Sequence, residues 1–235
     1  MVEGYRLLVV DHDDTAVAST PQIHFPAYRA TLRRLRPELP EPTIEGFYLA
    51  NFHPGFSQHL RGELGLSEAE IRVEYEIWRA HVAGRTPSFY PGFVDLLRSF
   101  RAGGGLLAVV SHSDADTIRR DYATGAPGFL PDAIFGWDDD EERRKPSPYP
   151  LRTLMERYRL TPREILVVDD LKPGVVMARG VGCHVAAAAW AHRIPEIEAY
   201  MRRECVAFLE TVADLAAYLL VRAAGARASG RYPSR

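Results

Sequence analysis

Tyr5-Arg6-Leu7-Leu8-Val9-Val10-Asp11-His12-Asp13-Asp14-Thr15 is the stretch on which the reading of this chain turns. An apolar run with the length of a buried strand ends on Asp11, and an acidic turn begins where a strand yields to a loop. The arrangement returns twice: Leu106–Val110 runs into Ser111, His112 and Ser113, and residues 165–168 run into Asp169 and Asp170. Weaker apolar runs at Ala133–Phe135 and 183–187 complete a set of short strands separated by helical patterns. That alternation predicts an α/β fold of parallel βα units.

The helices have legible ends. After Pro91 and Gly92, the spacing of Phe93, Leu96, Leu97 and Phe100 predicts an apolar helix face that stops at Gly103-Gly104-Gly105. Thr161, Pro162 and Glu164 read as N-cap, first-turn proline and capping-box acid of a short turn feeding the strand at 165. Thr211 and Asp214 can cap a last helix carrying Val212, Leu215, Ala216 and Leu219, and the Ala, Gly, Ser and Arg content of 222–235 predicts a frayed tail.

Between the first strand and Pro87 the pattern changes. Residues 24–35 are helix-like, a second helix is expected through residue 83, and no convincing strand intervenes. About 65 residues are too many for an ordinary βα connection. The expected organisation is a core over 1–18 and 87–221 with a helical cap over 19–86 resting on the strand ends.

Composition narrows the function classes. With 46% hydrophobic residues in 235, the chain can bury a sizeable core. A net charge of −2 gives no global attraction for a nucleic-acid polymer or an anionic membrane. Cys183 and Cys205 lie in separate segments and suggest neither a disulfide framework nor a cysteine metal cluster. No window supplies the roughly 18 apolar residues of a membrane span. A cytoplasmic monomer or homodimer is the default expectation. Lys145 and Lys172 are the only lysines among 29 basic residues, which marks both as places where a compact ammonium can matter.

Two carboxylates one residue apart at a strand end can take different roles. Asp11 can attack phosphorus, while Asp13 can protonate the leaving oxygen and then activate water. An anionic nucleophile meeting an anionic phosphate needs positive charge. Mg²⁺ can be held by Asp11, the backbone carbonyl of Asp13 and Asp170. Lys145 can steady Asp11 and the phosphoryl oxygens, with Ser111 as a neutral donor. Convergence is expected because ligands of open α/β sheets bind outside the carboxyl ends of the strands.

These motifs, in this order, resemble the haloacid dehalogenase superfamily in its phosphatase branch with a helical cap. Asp11-x-Asp13-x-Thr15, the apolar run ending in Ser111, Lys145-Pro146-x-Pro148 and Val167-Val168-Asp169-Asp170 match the four family motifs across roughly residues 5–190. The resemblance implies a Rossmann-like parallel-sheet core, Mg²⁺ dependence, an aspartyl-phosphate intermediate and a mobile cap that selects a small phosphorylated metabolite. Sugar phosphomutase activity, or a phosphate-binding regulatory protein without turnover, are the alternatives. Thr15, Ser111, His112 and Lys145 are the expected phosphate contacts, with Asn51 and His53 as cap contacts near the Pro54-Gly55 turn. The chain departs from the pattern at Asp14, where glycine is common. It departs again in the fourth motif, where Asp169 stands in place of glycine and Gly174 in place of aspartate. Asp170 is therefore the expected direct ligand and Asp169 an outer or water-mediated partner.

Overall fold

The computed structural model describes residues 4–138 and 140–228. Six parallel strands, β1 Leu7–Val10, β2 Leu106–Val110, β3 Ala133–Phe135, β4 Ile165–Asp169, β5 His184–Ala188 and β6 Ala207–Leu209, lie in the order β3-β2-β1-β4-β5-β6. The sheet is a Rossmann-like α/β core, as expected from the alternating runs. β6 was not expected: Ala-Phe-Leu is too short to show a period, and its strand state comes from pairing with β5 through Ala186↔Ala207.

Ten α-helices accompany the strands among the described residues: α1 Phe25–Leu35, α2 Ile44–Phe52, α3 Phe56–Gln58, α4 Glu68–Val82, α5 Phe93–Ala102, α6 Ala115–Gly125, α7 Tyr149–Tyr158, α8 Lys172–Arg179, α9 Pro195–Glu204 and α10 Val212–Ala228. Strand alternation sends Leu8, Val10, Val109 and Val168 to one face, where Phe93 and Leu97 of α5, Ile118 of α6 and Leu215 of α10 cover them. Leu7, Val9, Val110 and Val167 go to the other face, under Leu151 of α7, Val175 of α8 and Ile197 of α9.

The first four helices form the cap inserted between β1 and β2. It has its own small core of Tyr28, Leu32, Phe47, Leu60 and Leu66. Ser67 and Glu70 form the capping box that starts α4. The two chain segments joining cap and core run side by side: Ala18 donates to the Ser88 carbonyl at 2.9 Å and Tyr90 to that of Ala16 at 3.0 Å.

Thr211 and Asp214 cap α10 as the sequence implied. That helix continues to Ala228, past the point where a frayed tail was expected, because its Ala-rich end has high helix propensity. The remainder of the expected tail, 229–235, lies outside the described residues. Among the described residues no helix is long and apolar enough to cross a membrane.

Candidate active site

The strand order turns at β1: the chain fills the sheet outward through β2 and β3 on one side, then through β4, β5 and β6 on the other. At that switch point the carboxyl ends of β1 and β4 lie adjacent, with Val10 opposite Val168. Asp11 and Asp169 therefore emerge together. The Asp11 amide donates to the Val168 carbonyl at 2.9 Å, which fixes the Asp11 backbone to the neighbouring strand.

One carboxylate oxygen each from Asp11, Asp169 and Asp170 fall within 4.8 Å of one another, and all three residues are buried. Lys145 is buried beside them, with Nζ 2.7 Å from Asp11 Oδ1 and 2.9 Å from Asp169 Oδ2. Three carboxylates against one ammonium leave a deficit of positive charge. Burial, together with the neighbouring carboxylates and against the pull of Lys145, raises Asp11 well above the ordinary range. Burial and then Asp169 and Asp14 do the same for Asp170. An all-oxygen set with this charge fits a hard divalent cation.

The fourth-motif departure has a steric explanation. A Cβ at Gly174 would lie 2.1 Å from Asp169 Oδ2, so only glycine on α8 leaves room for this carboxylate. Asp169 has both oxygens engaged, one with Lys145 and the other accepting from the Leu171 amide at 3.0 Å. Asp170 is backed instead by His192, 3.1 Å away. Burial outweighs Asp14 and Glu198 and lowers His192.

Asp13 sits in a dense set of donors. Its Oδ1 accepts from Ser19 Oγ and His24 Nε2, both at 2.8 Å, and its Oδ2 from Ser113 Oγ at 2.6 Å and Ser111 Oγ at 3.2 Å. Burial alone would raise this carboxyl. The charge and hydrogen bond of His24, then His12 and Ser113, outweigh burial and hold it well below the usual range. Trp78 on α4 stacks on His24 and donates to its Nδ1 at 3.0 Å.

Asp14 replaces glycine without breaking the turn. Its φ of 57° lies in the left-handed region, which aspartate tolerates better than most residues, and its side chain accepts from the Thr20 amide at 3.2 Å. Thr15 is fully buried, with its carbonyl held by Trp190 at 3.1 Å and its hydroxyl unpartnered among the described residues.

The remaining expected contacts fall elsewhere. His112 Nε2 lies 2.6 Å from the Lys145 carbonyl. Although the residue keeps solvent-exposed atoms, desolvation of its ring by the surrounding protein and then Lys145 push it down to about 4. A neutral His112 thus braces the loop that carries Lys145. Asn51 donates to the Phe47 carbonyl of its own helix at 2.8 Å, and His53 is exposed at the end of α2. Among the described residues neither hydrogen-bonds to the carboxylate cluster. Helical spacing puts Tyr48 and Phe52 on the core-facing side of α2 instead. There the Tyr48 ring packs 4.6 Å from His192 and the Phe52 ring 5.2 Å from Tyr200, with Lys172 Nζ 5.9 Å above both Phe52 and Tyr200.

Sequence reading missed Ser19, Ser113, His24, Trp78 and His192. Ser113 was accessible to it, since a residue two beyond Ser111 can share its side of an extended turn. His24 and His192 carried no local signal, because each finds its carboxylate only through the tertiary fold.

Fold and site together define an α/β protein with a buried carboxylate cluster at the strand ends and an inserted helical cap. The chain belongs to the haloacid dehalogenase-like hydrolases, whose family model matches residues 5–182. It is 25% identical over 190 residues to a phosphoglycolate phosphatase of Vibrio vulnificus strain YJ016, covering 76% of this chain and 81% of that one. It is 26% identical over 186 residues to a phosphoglycolate phosphatase of Nitrosospira multiformis, covering 77% and 81%. Among solved structures, CbbY from Rhodobacter sphaeroides in complex with phosphate superposes with a TM-score of 0.67 at 19% identity, covering 90% of this chain and 96% of that one. A haloacid dehalogenase-like family protein from Streptococcus pneumoniae gives 0.71 at 19%, covering 91% and 98%.

Proposed function

We propose that the protein is a Mg²⁺-dependent phosphomonoesterase that hydrolyses a small phosphorylated metabolite through a phosphorylated Asp11. The observation that carries this reading is the shared pocket of Asp11, Lys145, Asp169 and Asp170 beside an Asp13 already gripped by donors. Small phosphorylated acids such as phosphoglycolate are the first substrates to test, given the names of the relatives.

Asp11, the Asp13 carbonyl and Asp170 would hold the metal, which when bound offsets the repulsion between carboxylate and phosphate. An Asp11 oxygen bonds to phosphorus as the bond to the leaving oxygen breaks, and that oxygen takes a proton from Asp13. Lys145 stabilises charge on Asp11 and on the phosphoryl oxygens. Asp13, now a carboxylate, removes a proton from water. The water oxygen attacks phosphorus, inorganic phosphate leaves and Asp11 is restored. The donors around Asp13 favour the carboxylate form that the second half needs. An arriving phosphate dianion favours the protonated form that the first half needs.

A screen of phosphorylated metabolites with Mg²⁺, ranked by kcat/KM, should find phosphate release from at least one. Asp11→Asn should lower it by at least about a thousandfold with the circular dichroism spectrum unchanged. Full activity in that variant sinks the mechanism. Formation of an isomer faster than free phosphate would instead select a phosphomutase.

A further inference from the structure

We propose that Asp121 and Arg120 on α6 are positioning residues, which fix the turn between Asp11 and Asp13 through His12 and tie that turn to the chain's exit from the cap. Alternation points His12 away from its two acidic neighbours and into the core, where it has no solvent exposure. An apolar residue could fill that place with no partner. An imidazole there needs one, and His12 Nε2 lies 3.1 Å from Asp121 Oδ2.

Asp121 is itself buried and so requires a cation. Arg120 supplies it, with Nε 3.1 Å and Nη2 2.9 Å from Asp121 Oδ1. The rest of the guanidinium turns the other way. Nη2 donates to the Arg85 carbonyl at 2.9 Å and Nη1 to the Val82 carbonyl at 3.3 Å. Val82 is the last residue of α4, and Arg85 lies on the segment returning to the core.

Each polar group in this string requires the next, and the string ends on carbonyls that must shift if the cap moves. On the opposite side of the turn, the Ala16 and Val17 amides donate to the His12 carbonyl at 2.9 and 3.0 Å, so the residue is held at both side chain and backbone. A change in the cap's exit segment therefore acts on Arg120, then Asp121, then the spacing of the two catalytic carboxylates.

The test uses the full chain with p-nitrophenyl phosphate and Mg²⁺, and its kinetic arm rests on the phosphatase reading. Asp121→Asn should lower kcat about tenfold to a hundredfold while KM stays within about threefold, the signature of misplaced reacting groups. The paired change His12→Leu with Asp121→Leu removes both buried polar groups together and so keeps the fold in reach. It should show the same kcat loss, and also faster hydrogen exchange at amides 83–88, which neither substituted residue touches. Wild-type kcat in the folded paired variant, or unchanged exchange at 83–88, overturns the proposal. A wild-type protein that does not turn over the probe counts against the phosphatase reading alone, and the exchange result then decides this one.

Discussion

The sheet packs apolar side chains on both faces, whereas the cap closes on one small cluster of Tyr28, Leu32, Phe47, Leu60 and Leu66. The carboxylate cluster stands on the first region, where parallel pairing fixes the backbone of Asp11 and Asp169. The cap meets them through a few polar and aromatic contacts: His24 on Asp13, Tyr48 on His192, and Tyr75 and Arg79 on Asp114 at 3.0 and 2.7 Å. The sheet is therefore held by burial on both faces, whereas the cap is held to it by fewer and more polar contacts, which are expected to open at lower free energy.

The contrast can be tested first by cavity formation. Leu166→Ala in β4 and Leu60→Ala in the cap should each cost about 2–5 kcal/mol locally. Only the sheet variant should speed hydrogen exchange in β1 and β5. Equal loss of sheet protection in both would show that cap and core unfold as one unit.

Next in size is Gly174→Ala. Its methyl group would collide with Asp169 and disturb the partner of Lys145. Divalent-metal affinity, read by calorimetry, should fall about tenfold to a hundredfold. Unaltered affinity would mean that the Asp169 position does not matter to the metal site.

A smaller effect is expected at the latch. Asp114→Ala removes the acceptor of both Tyr75 and Arg79, so hydrogen exchange in α4 should rise. Tm should move by no more than about 4 °C, as befits a largely solvent-facing pair. If α4 exchange stays as in the wild type, Asp114 does not hold the cap down.

The smallest effect is a pH slope in the cap. Glu74 on α4 is half-buried, and burial raises its carboxyl to about 7. The folded state then binds more protons than the unfolded one between the ordinary carboxylate range and about 7, so this contribution is complete at low pH and is lost as pH rises through that window. Glu74→Gln should flatten the fall in Tm across it. A variant that keeps the wild-type slope would place the titration elsewhere.

Much of the core was legible because buried parallel strands are written as continuous apolar runs, each ending where a functional loop begins. Asp11, Asp13, Ser111, Asp169 and Asp170 lie at or just past such ends, and Lys145 stood out as one of two lysines, just before Pro146 and Pro148. β6 escaped because three residues carry no period, and the contact face of the cap because Tyr48 and Asn51 are equally plausible on a helix whose orientation is unknown.

By itself the sequence determined the alternation of strands and helices, the ordered acidic and lysine motifs and the presence of a helical insertion, since all of these follow from local spacing. Tertiary structure decided what surrounds each carboxylate. Four donors converge on Asp13 from the segment after β1, the cap and the end of β2, and His12 reaches a carboxylate 109 residues away, as only folding brings such groups within hydrogen-bonding distance. The reason is physical: propensity and hydrophobic period act over a few residues, whereas the charge balance of a buried site is set by whichever distant groups the packing brings together.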